Sequence, residues 1–425
     1  MKMPNQSDGC RTEHIIELTQ SMGYSFVDSF CGPGGIGLGM KKAGFSLLLA
    51  FDHDEMAVKT HNRNLGENAI VADANQITGS EILSRVNLRG GELALFTGGP
   101  PCQGFSKQKR GAHLGDKRNH LILEFARLVT ELRPRFFMFE NVAIFGQKRG
   151  AKYIDEMDRQ LCDYIFCRHY YNSADYGLAQ TRQRFITVGM RKDQKTFFII
   201  PPPTTKHWRT VGEVLHGMPE PPDDFTVHPD FPNHQRARVS DINIKRFSFV
   251  PQGGGWQDIP EGYRLECHKK ADTKRGGWPD VYGRLDWNGQ CPTITGGFDS
   301  FTRGRYGHPL HDRPLTPREA AMIQGFPNWF VFRGTRADMR SQIGNAVPPP
   351  LAEAIGLSIA QSLLIADDAI DGEELMRRCF PRKDPIQLQL YSSNESASKK
   401  KSPNGQTLIL GNLKFKQAYA LGTSK

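Results

Sequence analysis

Between residues 25 and 200, short apolar runs alternate with stretches of helical periodicity, and this alternation restricts the fold more than any other property of the chain. The runs are Ser25–Phe30, Ser46–Phe51, Leu93–Phe96, Arg135–Phe139 and Arg184–Met190. Each has the length and composition of a buried strand. In Leu121–Leu132, by contrast, Leu121, Phe125, Leu128 and Leu132 fall on one face of a helix. Strands separated by helices imply an α/β fold built on a doubly wound, mostly parallel sheet. Pro201, Pro202 and Pro203 end the pattern sharply. Residues 201–312 are then rich in glycine, proline, aromatic and basic residues, as in Gly253-Gly254-Gly255-Trp256, and are predicted to form a smaller, loop-rich domain. Helical sequence returns at Thr316–Gln324 and Leu351–Leu364, so residues 313–370 are expected to rejoin the first domain, residues 24–200.

The turns after the strands carry the chemistry. Leu93–Phe96 runs into Gly98-Gly99-Pro100-Pro101-Cys102-Gln103-Gly104-Phe105-Ser106. The prolines fix φ and remove two N–H donors, so the chain leaves the sheet as a stiff loop. A thiol on such a loop is either a buried structural cysteine or a nucleophile. Ser25–Phe30 runs into Cys31-Gly32-Pro33-Gly34-Gly35, where glycines let a ligand approach the backbone and a helix N-terminus. The second strand ends at Asp52-His53-Asp54, where a doubly wound fold places an acceptor for ribose hydroxyls. The glycine spacing is not the dinucleotide fingerprint, so a nucleoside with a different tail fits better, S-adenosylmethionine among them. Asp73 reads either as a second acid for the adenine edge or as a solvated loop aspartate. Glu140, beside Phe136, Phe137 and Phe139, is a carboxyl with a raised pKa or a helix cap. Alternation puts Arg182 and Arg184 on one face, as paired donors or as partners in surface ion pairs.

Bulk properties narrow the setting. The 425 residues carry a net charge of +10, which favours a polyanionic partner. Six lysines and one glutamate in Tyr391–Lys425 account for half of that excess, within a basic, low-complexity tail expected over 385–425. No apolar run reaches the roughly 20 residues needed to span a bilayer. The eight cysteines include no C-x-x-C pair, so no metal site is expected and they read as reduced thiols of a cytoplasmic protein.

Taken in order, the Gly98–Ser106 loop, Glu140-Asn141-Val142, Gln180-x-Arg182-x-Arg184, Arg318-Glu319 with Gln324-Gly325-Phe326-Pro327, and Gln342-Ile343-Gly344-Asn345-Ala346-Val347-Pro348-Pro349 resemble the motif set of DNA (cytosine-5) methyltransferases. The opening Phe30-x-Gly32-x-Gly34-Gly35 turn completes it. The resemblance covers about residues 24–370, with 201–312 matching the target-recognition region in position and character. It implies methyl transfer from S-adenosylmethionine to C5 of a flipped-out cytosine in double-stranded DNA. Cys102 would attack C6, Glu140 would hold a proton at N3, Arg184 would bind O2, and Arg182 would support the loop. Phe30, Gly32, Gly34, Gly35, Asp52, His53, Asp73, Pro101, Leu121 and Asn345 match cofactor positions. Gln103, Ser106, Lys107, Lys109 and Arg110 would contact DNA from a closing loop. Thr293, Arg303 and Arg305 would contact it from the recognition region. Two departures stand out: Asp52 where the family often has glutamate, and Ala346 where it often has serine.

The resemblance further implies a bacterial or phage modification enzyme, monomeric and not membrane-bound, with a cognate restriction endonuclease as a possible partner. The nearest rival is a tRNA cytosine-5 methyltransferase, for which the 201–312 region is long. A catalytically inactive DNA-binding regulator would have no use for intact Cys102, Glu140 and Arg184. A nicotinamide or flavin oxidoreductase leaves the Pro-Pro-Cys-Gln loop unexplained.

Overall fold

A computed structural model describes residues 7–101, 117–147, 150–269, 280–372, 374–375 and 408–410. Its centre is a seven-stranded sheet of β1 (Ser25–Ser29), β2 (Ser46–Asp52), β3 (Ala69–Val71), β4 (Leu95–Gly98), β5 (Phe136–Val142), β6 (Tyr164–Asn172) and β8 (Gln183–Arg191). The spatial order is β3-β2-β1-β4-β5-β8-β6. From β1 the chain builds outward to β2 and β3 on one side, then returns to place β4 and β5 on the other. That reversal puts a crevice at the carboxyl ends of β1 and β4, where open α/β sheets bind their ligands. β8 alone in this sheet runs antiparallel, against both β5 and β6.

Each strand face has its own core, as period-two alternation requires. Phe136 and Met138 of β5 join one cluster with Ile36, Met40, Leu351, Ile355 and Ile359. Phe137 and Phe139 join the other with Phe96, Phe125, Leu128 and Val129. Helices α1 (Ser7–Ser21), α2 (Gly35–Lys42) and α12 (Pro349–Ala366) cover the first face, and α4 (Gly79–Val86), α5 (Leu121–Leu132) and α6 (Ala151–Gln160) the second. Helix α3 (Glu55–Leu65) follows β2. The strongly apolar α12 packs on α2: a Cβ on Gly39 would stand 2.5 Å from the Ala352 Cβ. Late sequence is thereby laid directly against the first glycine turn.

Beyond residue 200 come the short helices α7 (Val211–Leu215), α8 (Asp241–Phe247) and α9 (Glu266–Lys269), then α10 (Pro317–Ile323) and α11 (Arg336–Asn345). A small parallel pair, β7 (Gln180–Thr181) with β10 (Cys291–Pro292), ties residue 291 to the entry of β8. Within the expected low-complexity tail, β11 (Leu408–Leu410) pairs antiparallel with β9 (Phe197–Ile199).

Four of the seven central strands end within two residues of the apolar runs identified in the sequence. β6, an edge strand with no clean alternation of burial, and the short β3 have no counterpart among those runs. The run Arg135–Phe139 stops short of the end of the strand it marks. Pairing with β8 carries β5 on through Val142, so Glu140 lies inside the strand and does not cap a helix.

Candidate active site

The crevice at the carboxyl ends of β1, β4 and β5 gathers the predicted acid and its donors. Glu140 and Arg184 are both buried, and Arg184 Nε lies 2.7 Å from Glu140 Oε1. Burial pushes the Glu140 carboxyl above its usual range, while the Arg184 and Arg182 guanidinium charges pull it back. The second carboxylate oxygen faces the Gly98-Gly99 segment: a Cβ on Gly99 would stand 3.0 Å from Glu140 Oε2. A Cβ on Gly98 would fall 2.3 Å from Ser29 Oγ and 2.9 Å from the Phe125 ring. The paired glycines therefore let β4 end between β1 and β5 with its loop against the acid. Pro101 is half-buried there. Cys102, Gln103, Ser106, Lys107, Lys109 and Arg110 lie outside the described residues.

The first glycine turn is built differently. Phe30, Gly32 and Gly34 all have positive φ, 51°, 52° and 103°. Among the described residues no neighbouring atom stands within 4 Å of where a Cβ on Gly32 would be, so its backbone is open to approach. Gly35 is the reverse case: a Cβ there would lie 2.1 Å from the Val347 carbonyl oxygen. Asp52 closes the turn, its Oδ2 accepting from Gly32 N at 2.8 Å and its Oδ1 from Asp54 N at 3.0 Å. His53, well exposed, sits with Nδ1 3.0 Å from Asp52 Oδ1. Burial works to raise the Asp52 pKa, but these donors together hold it below its ordinary value, so it is an ionised acceptor at neutral pH.

Beneath the turn lies a buried pair, Asp28 and His61, that no sequence motif marks. Asp28 of β1 is fully buried and accepts from Thr97 Oγ1 at 2.6 Å, and its Oδ2 has no partner among the described residues. Burial pushes its carboxyl up to about 7. His61 of α3 is also buried with neither ring nitrogen partnered among the described residues, and burial pushes it down to about 4. Both face Gly37, whose Cβ would stand 3.3 Å from His61 Nε2 and 3.6 Å from Asp28 Oδ2. An aspartate inside the apolar run Phe26-Val27-Asp28 was the signal available beforehand.

Residues 24–361 match the family described as C-5 cytosine-specific DNA methylase. The chain belongs to that family. Its relatives include the type II methylase M.HgiDII of Herpetosiphon aurantiacus, 32% identical over 79% of this chain and 95% of that protein. The type II methyltransferase M1.HphI of Haemophilus parahaemolyticus is 31% identical over 80% of this chain and 88% of that one. A prophage-encoded Escherichia coli protein described as a DNA modification methyltransferase superposes with a TM-score of 0.60 at 28% identity, covering 80% of this chain and 99% of that one. The Entamoeba histolytica methyltransferase EhMeth, at 17% identity and a TM-score of 0.55, shares the fold.

In this cytosine-5 methylase a buried hydrogen-bond chain joins motifs far apart in sequence. Arg182 donates to the carbonyls of Ile294 (2.9 Å), Gly344 (3.0 Å) and Ala346 (3.0 Å). Gln180 donates to Gln324 Oε1 and accepts from Ile294 N at 2.8 Å, and Gln324 Nε2 donates to Ala346 O at 2.7 Å. Arg182 is thus a fixed brace beside Arg184, and both arginines are buried, which excludes the surface ion pairs considered as the alternative. Arg318 is buried and donates to Pro232 O at 2.7 Å and Pro327 O at 3.1 Å. Glu319 completes a capping box with Thr316 and pairs with Arg313 at 2.8 Å. These motif residues organise backbone.

The remaining predicted positions divide by surroundings. Asp73 is exposed and accepts from Asn75 N at 2.9 Å within its own turn. Its charge nevertheless reaches His53, whose pKa is raised first by the bond to Asp52. Leu121, half-buried, opens α5, and Asn345, exposed at the end of α11, lies two residues from the Val347 carbonyl that touches Gly35. Thr293 donates to Thr181 O at 3.1 Å. Arg303 is exposed, whereas Arg305 turns inward and donates to Gly253 O at 2.6 Å. Glu220, His308 and His311 bring three potential metal ligands together, but Arg313, 2.8 Å from Glu220, already supplies the positive charge there.

Proposed function

We propose that this DNA cytosine-5 methyltransferase uses S-adenosylmethionine as its methyl donor, works through Cys102, Glu140, Arg182 and Arg184, and serves as the modification enzyme of a restriction–modification system. The observation that carries the site assignment is the buried Glu140–Arg184 pair against Gly99, one short loop from Cys102.

The glycine turn fits such a donor: Gly32 is open to approach and Asp52 is an ionised acceptor at the end of β2. Phe30, Gly32, Gly34, Gly35, Asp52, His53, Asp73, Pro101, Leu121 and Asn345 would hold it. When bound, S-adenosylmethionine supplies an electrophilic methyl group on a sulfonium. The aromatic cytosine ring is a poor carbon nucleophile, so the chain must activate it covalently. The Cys102 thiolate adds to C6, Glu140 holds a proton at N3, and Arg184 donates to O2. This shifts electron density to C5. After methylation, loss of the C5 proton and β-elimination release Cys102. A raised Glu140 pKa suits a carboxyl that must share its proton near neutral pH. The stacked duplex hides C6, so the target base is flipped out, at a cost of a few kcal/mol.

Residues 24–200 and 313–370 then form the catalytic domain and 201–312 the target-recognition domain. Thr293 and Arg303 face the DNA, with Gln103, Ser106, Lys107, Lys109 and Arg110 on a loop closing over it. We further propose a monomer acting in the cytoplasm on the site of a cognate endonuclease, as the type II names of its relatives suggest. The test is incubation with labelled S-adenosylmethionine and either duplex DNA or tRNA, followed by digestion. 5-Methylcytosine is expected in DNA, and product in tRNA alone would refute the reading. Cys102→Ser should abolish the denaturation-resistant adduct with 5-fluorocytosine DNA.

A further inference from the structure

We infer that a groove of about 630 Å³ between residues 235–243, residues 299–302 and α11 is a docking site for a phosphodiester of the DNA substrate. The inference rests on the reading of this chain as a DNA methyltransferase and names residues that no motif assigns. Among the described residues, four arginines, Arg236, Arg238, Arg336 and Arg340, line the groove against one acid, Asp299.

Their bonding singles out the part that is built for a guest. Arg236 is neutralised by Asp223 at 2.8 Å and by Glu220 at 3.4 Å. Asp299 is buried and clamps the other wall, accepting from Arg336 Nε at 2.5 Å and Arg340 Nη1 at 3.1 Å. One carboxylate thereby orients two guanidinium groups and neutralises only one of them. Arg336 Nη2 and Arg340 Nε are buried without an acceptor among the described residues. Such groups are uncommon in native structures and point to a missing acceptor. On the facing wall Arg238 stacks over the Phe225 ring, 4.4 Å from its centroid, and makes no hydrogen bond among the described residues. Stacking leaves the guanidinium edge outward, as bidentate phosphate binding needs. The guest these groups fit is an anion with several acceptor oxygens.

The groove also shares a scaffold with the acid. Asp299 lies five residues beyond Ile294, whose carbonyl Arg182 holds. The α11 residue Gly344 packs so closely on the same loop that a Cβ there would stand 2.5 Å from Gly296 N. A strand held on Arg238 and Arg340 would therefore be fixed relative to Arg184 and Glu140 through two rigid contacts. This positions DNA and touches no reacting atom.

The experiment uses the full-length protein, plasmid DNA that the wild type methylates, and the variants Arg238→Ala, Arg340→Ala and Arg340→Lys. Arg238 is exposed, so its replacement leaves folding intact. Each alanine variant should flatten the slope of log affinity against log salt by about 0.9, the value of one phosphate contact. KM for DNA should rise at least several-fold with kcat little changed, and S-adenosylmethionine affinity should not move. Arg340→Lys should recover most of the slope. Unchanged slopes and DNA KM in both alanine variants, with the wild type active on DNA, would overturn the groove and leave the methyltransferase reading standing. A wild type that methylates no DNA overturns that reading itself.

Discussion

Glu140 and Arg184 are diagonal neighbours across an antiparallel seam. Glu140 sits opposite Ile186 and Arg184 opposite Val142, which brings Nε to 2.7 Å from Oε1. Were β8 parallel to β5, Arg184 would stand at the other end of the sheet. Glu140→Gln keeps the side-chain shape and an acceptor for Arg184, so the fold should survive while turnover falls by about 10²–10⁴-fold. Because burial raises the Glu140 pKa and the protonated form serves, wild-type turnover should decline as pH rises through that value. Arg184→Ala strips a buried carboxylate of its counter-charge and should cost about 3–5 kcal/mol as well. Initial rates and urea unfolding separate the two, and wild-type turnover in Glu140→Gln would remove it from the mechanism.

Asp28 gives stability a pH dependence of defined sign. Its carboxyl titrates near 7 in the folded state against an ordinary value of 3.8. The native state therefore keeps a proton that the unfolded chain has already lost, and this contribution is complete below 3.8 and gone above 7. Three pK units amount to about 4 kcal/mol. His61, pushed down to about 4 from 6.5, acts oppositely, its contribution present above 6.5 and lost as pH falls. Asp28→Asn cannot ionise, so its stability relative to wild type should climb from pH 4 to 7 and then level off. Denaturant unfolding across that range checks this, and a pH-independent difference would contradict a buried, neutral Asp28.

Gly35 and Gly32 predict contrasting outcomes on one turn. Gly35→Ala would drive a methyl group to 2.1 Å from the Val347 carbonyl oxygen, so the Ala346–Val347 backbone must shift. S-adenosylmethionine affinity should drop more than tenfold, with a lower Tm. Gly32→Ala meets no neighbour among the described residues, so its fold pays only for the φ of 52°, about 1–2 kcal/mol, while its methyl group stands where the donor approaches and should lower affinity too. Thermal unfolding of both variants decides the order, and a Tm for Gly35→Ala no lower than that of Gly32→Ala would show that Val347 does not shape the turn.

Arg182→Lys keeps the charge but cannot reach three carbonyls at once. Losing contacts to Ile294, Gly344 and Ala346 should destabilise the protein by about 2–4 kcal/mol. Urea unfolding with m unchanged is the expected record. Wild-type stability would mean that the other contacts among these segments, the Gln180–Gln324–Ala346 bonds included, hold them without Arg182.

The site was legible in the sequence wherever a residue sat at the end of an apolar run. Asp52 and Glu140 follow such runs, and Gly98-Gly99 and Gly34-Gly35 mark turns where no larger residue fits. Asp28 escaped because it lies inside an apolar run, and His61 because it stands in the polar stretch Lys59–Asn64 of α3, where no local signal marks it as buried. Arg303 and Arg305 read alike in sequence, yet one is exposed and the other is bonded to backbone carbonyls.

By itself the sequence determined the α/β class, the family, and the acids and arginines available for chemistry, because burial periodicity and turn residues are local properties. Tertiary structure alone decided that β8 runs antiparallel, that Val347 closes on Gly35, and that Arg182 braces residues more than 100 positions away. These follow from which apolar faces pack together and which buried polar groups must then find partners, conditions met only when the whole chain is folded.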